Sequence, residues 1–202
     1  MTAPPGNARH CGTAHEGSTY ENPAVDNRVE LYQGGKLVSS ADRNTPLLVA
    51  GPLAVERLPY RLVSLNNRDA WAGPYSTSTR TEWSFVSGDV APGTVYSPPL
   101  IQLDYAVDTD VDGRARRSFD LTVAASTLPS ATGAGSIRTA RLEVSYDDGA
   151  TWERAPLRHR AGRWSAHLHA PRNAKFVTLH TTARDTGGND VDQRITRAFG
   201  LR

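Results

Sequence analysis

Asp108–Gly113, which we call the aspartate loop, is the segment of the chain best suited by residue type to bind a metal. Its first, third and fifth residues are aspartates and its sixth is glycine, as at the start of a calcium-binding loop. The twelfth position is Phe119, where such a loop needs a bidentate acid, and arginines fill three of the four positions after the glycine. We therefore expect a solvated loop between strands, salt-bridged within itself, and no metal.

Histidines provide a second possible metal site. His167 and His169 alternate along one predicted strand, so their side chains share a face, and His180 lies in a neighbouring predicted strand. Three imidazoles on one sheet face could bind zinc. Histidines spaced in this way more often line the solvent face of a half-buried strand, which is the interpretation we favour.

Recognisable nucleophile motifs are absent from the sequence. There is no Gly-x-Ser-x-Gly elbow, phosphate-binding Walker loop or dinucleotide fingerprint, and the single cysteine, Cys11, has no convincing histidine partner. The sequence thus predicts no catalytic residue, no cofactor and no internal disulfide in this chain.

The most specific string runs from Ser145 to Trp152 and fits the Asp-box pattern Ser-x-Asp-x-Gly-x-Thr-Trp. In a hairpin of this kind Asp147 accepts hydrogen bonds from turn amides, and Gly149 adopts a positive φ. Thr151 returns the chain to the sheet, and Trp152 covers the turn with apolar area. Sialidase-like propellers carry the box in several blades, whereas this chain carries it once, so we predict a structural hairpin.

These residues must be positioned by strands, because alternating apolar and polar residues recur every ten to twenty positions and no helical period persists. Ser118–Ala124 and Arg138–Tyr146 alternate most clearly, with Ser145 predicted on the outward face. About seven short strands after residue 100 match the number in an immunoglobulin-like sandwich. We predict an all-β fold of two tandem β-sandwich domains, the second immunoglobulin- or fibronectin-III-like.

Composition places the boundaries between these parts. Residues 1–24 are polar, glycine-rich and without periodicity, so we expect a loose segment. A first sandwich, complete or incomplete, is predicted over 25–90 and a proline-containing linker over 91–99, where Pro98 and Pro99 favour extended backbone. The second sandwich then covers 100–202, and the linker predicts weak coupling between the two.

Charge and hydropathy exclude several partners. The 23 basic and 21 acidic residues leave a net charge of +2, which gives no electrostatic case for nucleic acid. The longest apolar stretch, Pro46–Val55, is too short to cross a membrane. The first residues do not form a signal peptide, so the chain is expected to be either cytoplasmic or a piece of a longer exported protein.

Three ordered strings carry a family resemblance. They are Ser76–Gly88, Leu142–Trp152, and Ala183–Asn189 followed by Arg197–Arg202. Together they resemble the C-terminal region of secreted bacterial subtilisin-like serine peptidases, over roughly Arg28–Arg202. In that family the catalytic residues belong to a separate upstream domain, and none of them maps onto this chain.

The resemblance implies a non-catalytic accessory segment, secreted as part of a longer precursor, that supports the catalytic domain or holds a macromolecular substrate. Its partners would be the peptidase catalytic domain in cis and a protein or polysaccharide substrate. An alternative is an extracellular glycan- or polymer-binding module that uses aromatic stacking platforms. Four side chains are candidates for such platforms, although alternation assigns the third to the core: Trp71, Tyr75, Trp83 and Tyr96.

Overall fold

The protein is described by a computed structural model that covers residues 9–11, 25–42, 56–68, 73–88 and 96–202. These residues form fourteen β-strands and no helix, so the all-β prediction is confirmed. The strands are β1 (Arg9–Cys11), β2 (Val25–Gln33), β3 (Lys36–Asp42), β4 (Leu58–Arg68), β5 (Ser78–Ser87), β6 (Ile101–Val107), β7 (Arg114–Ala115), β8 (Ser118–Thr127), β9 (Ile137–Ser145), β10 (Glu153–Ala155), β11 (Arg158–Arg160), β12 (Arg163–His169), β13 (Phe176–Asp185) and β14 (Asp190–Leu201). Within these ranges no helix is long and apolar enough to span a membrane.

The strands form two sheets. The short sheet has the order β1-β6-β8-β12-β11, and the long sheet has the order β10-β9-β13-β14-β5-β4-β2-β3, with β7 pairing in parallel to the end of β14. One continuous core joins their inner faces, as the edge-to-face contact of Phe119 with Phe199 at 5.4 Å illustrates. The arrangement is consistent with a β-sandwich.

Period-2 alternation explains which side chains reach the core. On β8 the apolar residues Phe119, Leu121 and Val123 are buried and face the long sheet. Ser145 departs from the predicted pattern, since it is 1% exposed although alternation puts it on the outward face. Its hydroxyl turns into the following hairpin, where hydrogen bonds replace those it would make to water.

The two halves of the sequence share one sheet, which differs from the weak coupling expected across residues 91–99. Strand β5 pairs antiparallel with β14 from Ser78↔Thr196 to Ser84↔Asp190. The Trp83 indole N–H also donates to the Ile101 carbonyl at 2.8 Å. Strand β14 pairs with β13 along one edge only, so the backbone N–H and C=O groups of its other edge need partners. Strand β5 provides these partners. Strands β4, β2 and β3 then extend the same sheet.

The Ala183–Asn189 string forms the turn between β13 and β14 and anchors a neighbouring loop. The buried Asp185 carboxylate accepts from the backbone N–H groups of Gly135 at 2.7 Å and Asn189 at 2.8 Å. Burial alone would raise the pKa of Asp185, but these hydrogen bonds, with one from the Asn189 amide, lower it overall. Asn189 also donates to the Gly133 carbonyl, so the turn holds the loop before β9.

Candidate binding face

The Asp-box hairpin, Ser145–Trp152, is closed by hydrogen bonds within itself. One oxygen of Asp147 accepts from the Ser145 hydroxyl at 2.7 Å and from the Thr151 N–H at 2.8 Å, and the other accepts from the Thr151 hydroxyl at 2.6 Å. The Ser145 hydroxyl accepts in turn from the Gly149 N–H at 2.8 Å. These bonds, those from Thr151 first, lower the pKa of Asp147 to about 2.

Glycine is required at the tip of this hairpin. Gly149 has φ +96°, and a Cβ there would lie 3.2 Å from the Trp152 indole. A side chain would therefore meet both backbone strain and a steric contact. Trp152 is only half-buried, so the ring covers the turn without being sealed in the core.

A bulge in β14 contacts the Asp-box hairpin through an ion pair. Arg197 has φ +54°, at the point where the register between β13 and β14 shifts. Its guanidinium binds both oxygens of Asp148, through Nε at 3.0 Å and Nη2 at 2.6 Å. This forked ion pair lowers the pKa of Asp148 and raises that of Arg197. The bulge therefore links the hairpin to the long sheet.

Trp152 reaches from the hairpin to the outer face of the long sheet. Its ring meets the edge of His180 at 5.6 Å, and the Arg194 guanidinium lies 5.0 Å from its centroid. The His180 Nδ1 lies 2.9 Å from Glu143, and Nε2 lies 3.1 Å from Asp192. Hydrogen bonding to Asp192 is the largest influence on His180 and raises its pKa, although burial opposes this.

A shallow groove of about 300 Å³ lies beside His180 on the same face. Arg141 on β9, Thr182 and Arg184 on β13, and Asp190 and Asp192 on β14 line it. The Arg184 guanidinium is itself ion-paired with Asp190 at 3.3 Å. Two carboxylates, Asp192 and Glu82, lie directly opposite each other on β14 and β5. Each is paired with a basic side chain: Asp192 with His180, and Glu82 with Arg80. We call this groove and its rim the outer-face groove. Its paired charges can hydrogen-bond polar ligands without favouring a polyanion.

Carboxylates of the aspartate loop already make hydrogen bonds and ion pairs with other protein groups. Asp110 accepts from the backbone N–H groups of Asp112 at 3.1 Å and Arg114 at 2.8 Å, and it pairs with Arg202 at 3.6 Å. Asp112 pairs with the Arg114 side chain at 2.5 Å. Asp110 and Asp112, two of the three aspartates considered as calcium ligands, are thus already paired with arginines or backbone amides.

The three histidines considered for zinc do not come together. His167 and His169 lie on β12 of the short sheet, with ring centroids 4.8 Å apart, whereas His180 lies on β13 of the long sheet. Across the part of the chain that the structure describes, no group of three or more His, Cys, Asp or Glu side chains could hold a metal ion.

An array that sequence reasoning missed is Ser118, His167 and Asp120. The Ser118 hydroxyl lies 3.0 Å from His167 Nε2, and His167 Nδ1 lies 2.7 Å from Asp120. This is the order of contacts in a serine hydrolase triad. However, the His167 and Asp120 side chains are 54% and 81% exposed. Water therefore solvates the imidazole and the carboxylate, whereas a catalytic triad shields these groups from water. The only sequence signal is Ser118 and Asp120 on one face of β8.

The aromatic residues considered as stacking platforms are mostly engaged in the fold. Tyr75 donates to the Asp112 carbonyl at 2.6 Å and packs so closely that a Cβ on Gly113 would lie 2.7 Å from its ring. Trp83 packs against the core, and Tyr96 is half-buried. Trp71 lies outside the described residues.

Comparison with known proteins gives no relative for this chain. No protein-family model matches it, and neither the curated proteins nor the solved structures include a match. The link to the C-terminal regions of subtilisin-like peptidases therefore rests on the sequence strings alone.

Proposed function

We propose that the chain is a non-catalytic accessory β-sandwich segment of a secreted subtilisin-like serine peptidase. Its role would be to hold a macromolecular substrate next to the catalytic domain, which lies elsewhere in the same precursor. The immunoglobulin-like topology of residues 100–202 belongs to the same proposal. Function has to be argued from a site rather than a fold, so the site that carries the proposal is the outer-face groove.

The groove suits an extended polar polymer better than a small molecule. It is shallow and lies on paired strands, and its lining offers both guanidinium donors and carboxylate acceptors. Small-molecule sites are more enclosed and more apolar. A peptide main chain carries both donors and acceptors, so it can hydrogen-bond both kinds of group in this groove.

A groove-filling variant tests the proposal. Thr182→Trp would place an indole in the groove, and Thr122→Trp is the matched control, because Thr122 is a half-buried residue on β8 of the other sheet. We expect the purified chain to bind carboxymethylated casein, Thr182→Trp to lose that binding, and Thr122→Trp to keep it. Binding to insoluble polysaccharide but not to casein would favour the glycan-binding alternative instead.

The peptidase context has its own test. In the source genome, the coding sequence joined to or preceding this chain should carry a His-Gly-Thr histidine motif and a Gly-Thr-Ser-Met-type nucleophile motif. A genomic neighbourhood that lacks such a domain would refute the peptidase part of the proposal and leave the polymer-binding part to the casein assay.

A further inference from the structure

Arginines are concentrated in the hairpin formed by β11 and the start of β12, Arg158–Arg163, which we call the basic hairpin. Its two turn residues have positive φ, +50° at Ala161 and +74° at Gly162, which is the geometry of a two-residue hairpin turn. Strand alternation puts Arg158 and Arg160 on one face. Arg163 is directly opposite Arg160 in the register and joins them there.

The basic hairpin carries an electrostatic cost that no ion pair with a described residue offsets. Like charges directly opposite each other on paired strands destabilise a sheet, since their Cβ atoms are about 5 Å apart. Arg158, Arg160 and Arg163 are all exposed, and none forms an ion pair or side-chain hydrogen bond with another described residue. The carboxylates of Asp192 and Glu82 on the long sheet, by contrast, are each paired with a basic side chain.

The outer backbone edge of the same hairpin pairs with no other described strand. β11 is the outermost strand of the short sheet as described. In a two-residue hairpin the closing pair, here Arg160 and Arg163, is hydrogen-bonded, so the next residue, His159, directs its N–H and C=O away from β12. The His159 ring stacks on the buried Trp164 at 4.5 Å and 13°, which holds this edge in place before any ligand arrives.

We propose that the basic hairpin binds an extended acidic peptide segment by strand addition. The peptide main chain would pair with the N–H and C=O of His159. Side chains at alternate positions of an extended peptide are ~6.6–7 Å apart, and the same spacing separates Arg158 from Arg160. Carboxylates at alternate peptide positions would therefore face the two guanidinium groups, which bind carboxylates in a forked geometry. A nucleic acid or an acidic polysaccharide would match the charge but leave the backbone edge unused.

Fluorescence anisotropy with a labelled peptide of alternating glutamate and valine tests this with the full chain at low salt. The charge-reversal pair Arg158→Glu and Arg160→Glu should weaken binding about tenfold or more, because each replaced contact becomes repulsive. The matched control is Arg116→Glu with Arg172→Glu, which changes net charge equally at two exposed arginines outside the hairpin. The control should bind within about twofold of the parent chain.

A second peptide, N-methylated at its central residue, keeps every charge but cannot complete the main-chain pairing. We expect it to bind about tenfold more weakly, since one backbone hydrogen bond is lost and the methyl group meets the strand edge. Equal binding of both peptides, or tighter binding of heparin or an oligonucleotide, would show a general anion surface and overturn the proposal, as would no binding by the parent chain. Thr182→Trp should bind the peptide normally, which separates this site from the outer-face groove.

Discussion

Gln193 links three strands through a buried polar network, and its replacement gives a sharp test of how the two halves of the chain are joined. The Tyr105 hydroxyl on β6 donates to the Gln193 carbonyl oxygen at 3.0 Å, and the Gln193 amide donates to the Thr81 hydroxyl on β5 at 2.8 Å. All three residues are buried, and burial raises the pKa of Tyr105. The network therefore bridges the two sheets and reaches a strand from the first half of the sequence.

Gln193→Leu keeps roughly the same volume but leaves the hydroxyls of Tyr105 and Thr81 without these partners. A buried polar group that loses its partner costs about 1–3 kcal/mol, so two of them should lower the free energy of unfolding by about 3 kcal/mol. For a chain of this length that corresponds to a fall in thermal midpoint of about 6–12 °C. The loss of stability comes from the Tyr105 and Thr81 hydroxyls that keep no glutamine partner, not from the removal of the glutamine side chain itself.

The matched control removes the remaining partners as well. Combining Gln193→Leu with Tyr105→Phe and Thr81→Val replaces the network by apolar side chains, which should restore stability to within about 1 kcal/mol of the parent chain. Urea unfolding, followed both by tryptophan fluorescence and by far-ultraviolet circular dichroism, measures all of these variants. The two probes should give one coincident transition, since β5 and β14 share a sheet. The reasoning fails if the triple variant is as unstable as Gln193→Leu, or if the halves unfold separately.

The remaining predictions concern the other sites. Because the pKa of His180 is raised on folding, its contribution to stability is fully present below the unfolded value of 6.5 and is lost as pH rises through the higher folded value. In His180→Gln, the urea concentration at the unfolding midpoint should therefore depend less on pH in that window. The lowered pKa of Asp147 has the opposite sign: its contribution is present above 3.8 and is lost as pH falls towards about 2. In thermal melts at neutral pH, Asp147→Ala, Gly149→Val and Trp152→Ala should each lower the midpoint. Casein binding, measured at a temperature where each variant is fully folded, should stay unchanged. Loss of binding without loss of stability would mean that the hairpin is a recognition surface. Millimolar calcium should leave the melting temperature nearly unchanged, because the aspartate loop already binds its own cations and amides, and a large rise reversed by chelator would contradict this. The chain should not hydrolyse p-nitrophenyl acetate faster than its Ser118→Ala variant, and turnover that this substitution abolishes would show that the exposed array is catalytic after all.

Local patterns accounted for the features whose partners lie close together in the sequence. Alternation on β8 placed Phe119, Leu121 and Val123 inward, because successive side chains of a strand point to opposite faces. The Asp-box string indicated its own turn, since every hydrogen bond between Ser145, Asp147, Gly149 and Thr151 spans four residues or fewer. The internal salt bridge of the aspartate loop was readable for the same reason, with Asp112 and Arg114 two residues apart.

Tertiary structure alone decided what these local features meet. Nothing in the sequence specifies that β5 pairs with β14, because either edge of a strand can accept a neighbour and the choice depends on the packing of the whole sheet. His180 meets Glu143 from 37 residues away, and Gln193 meets Thr81 from 112 residues away. Residue types and periodicity therefore determined the all-β class, the inward faces and the self-contained turns. Strand order brought together the outer-face groove, the polar network and the Ser118 array, because contacts between distant segments form only when the sheets assemble.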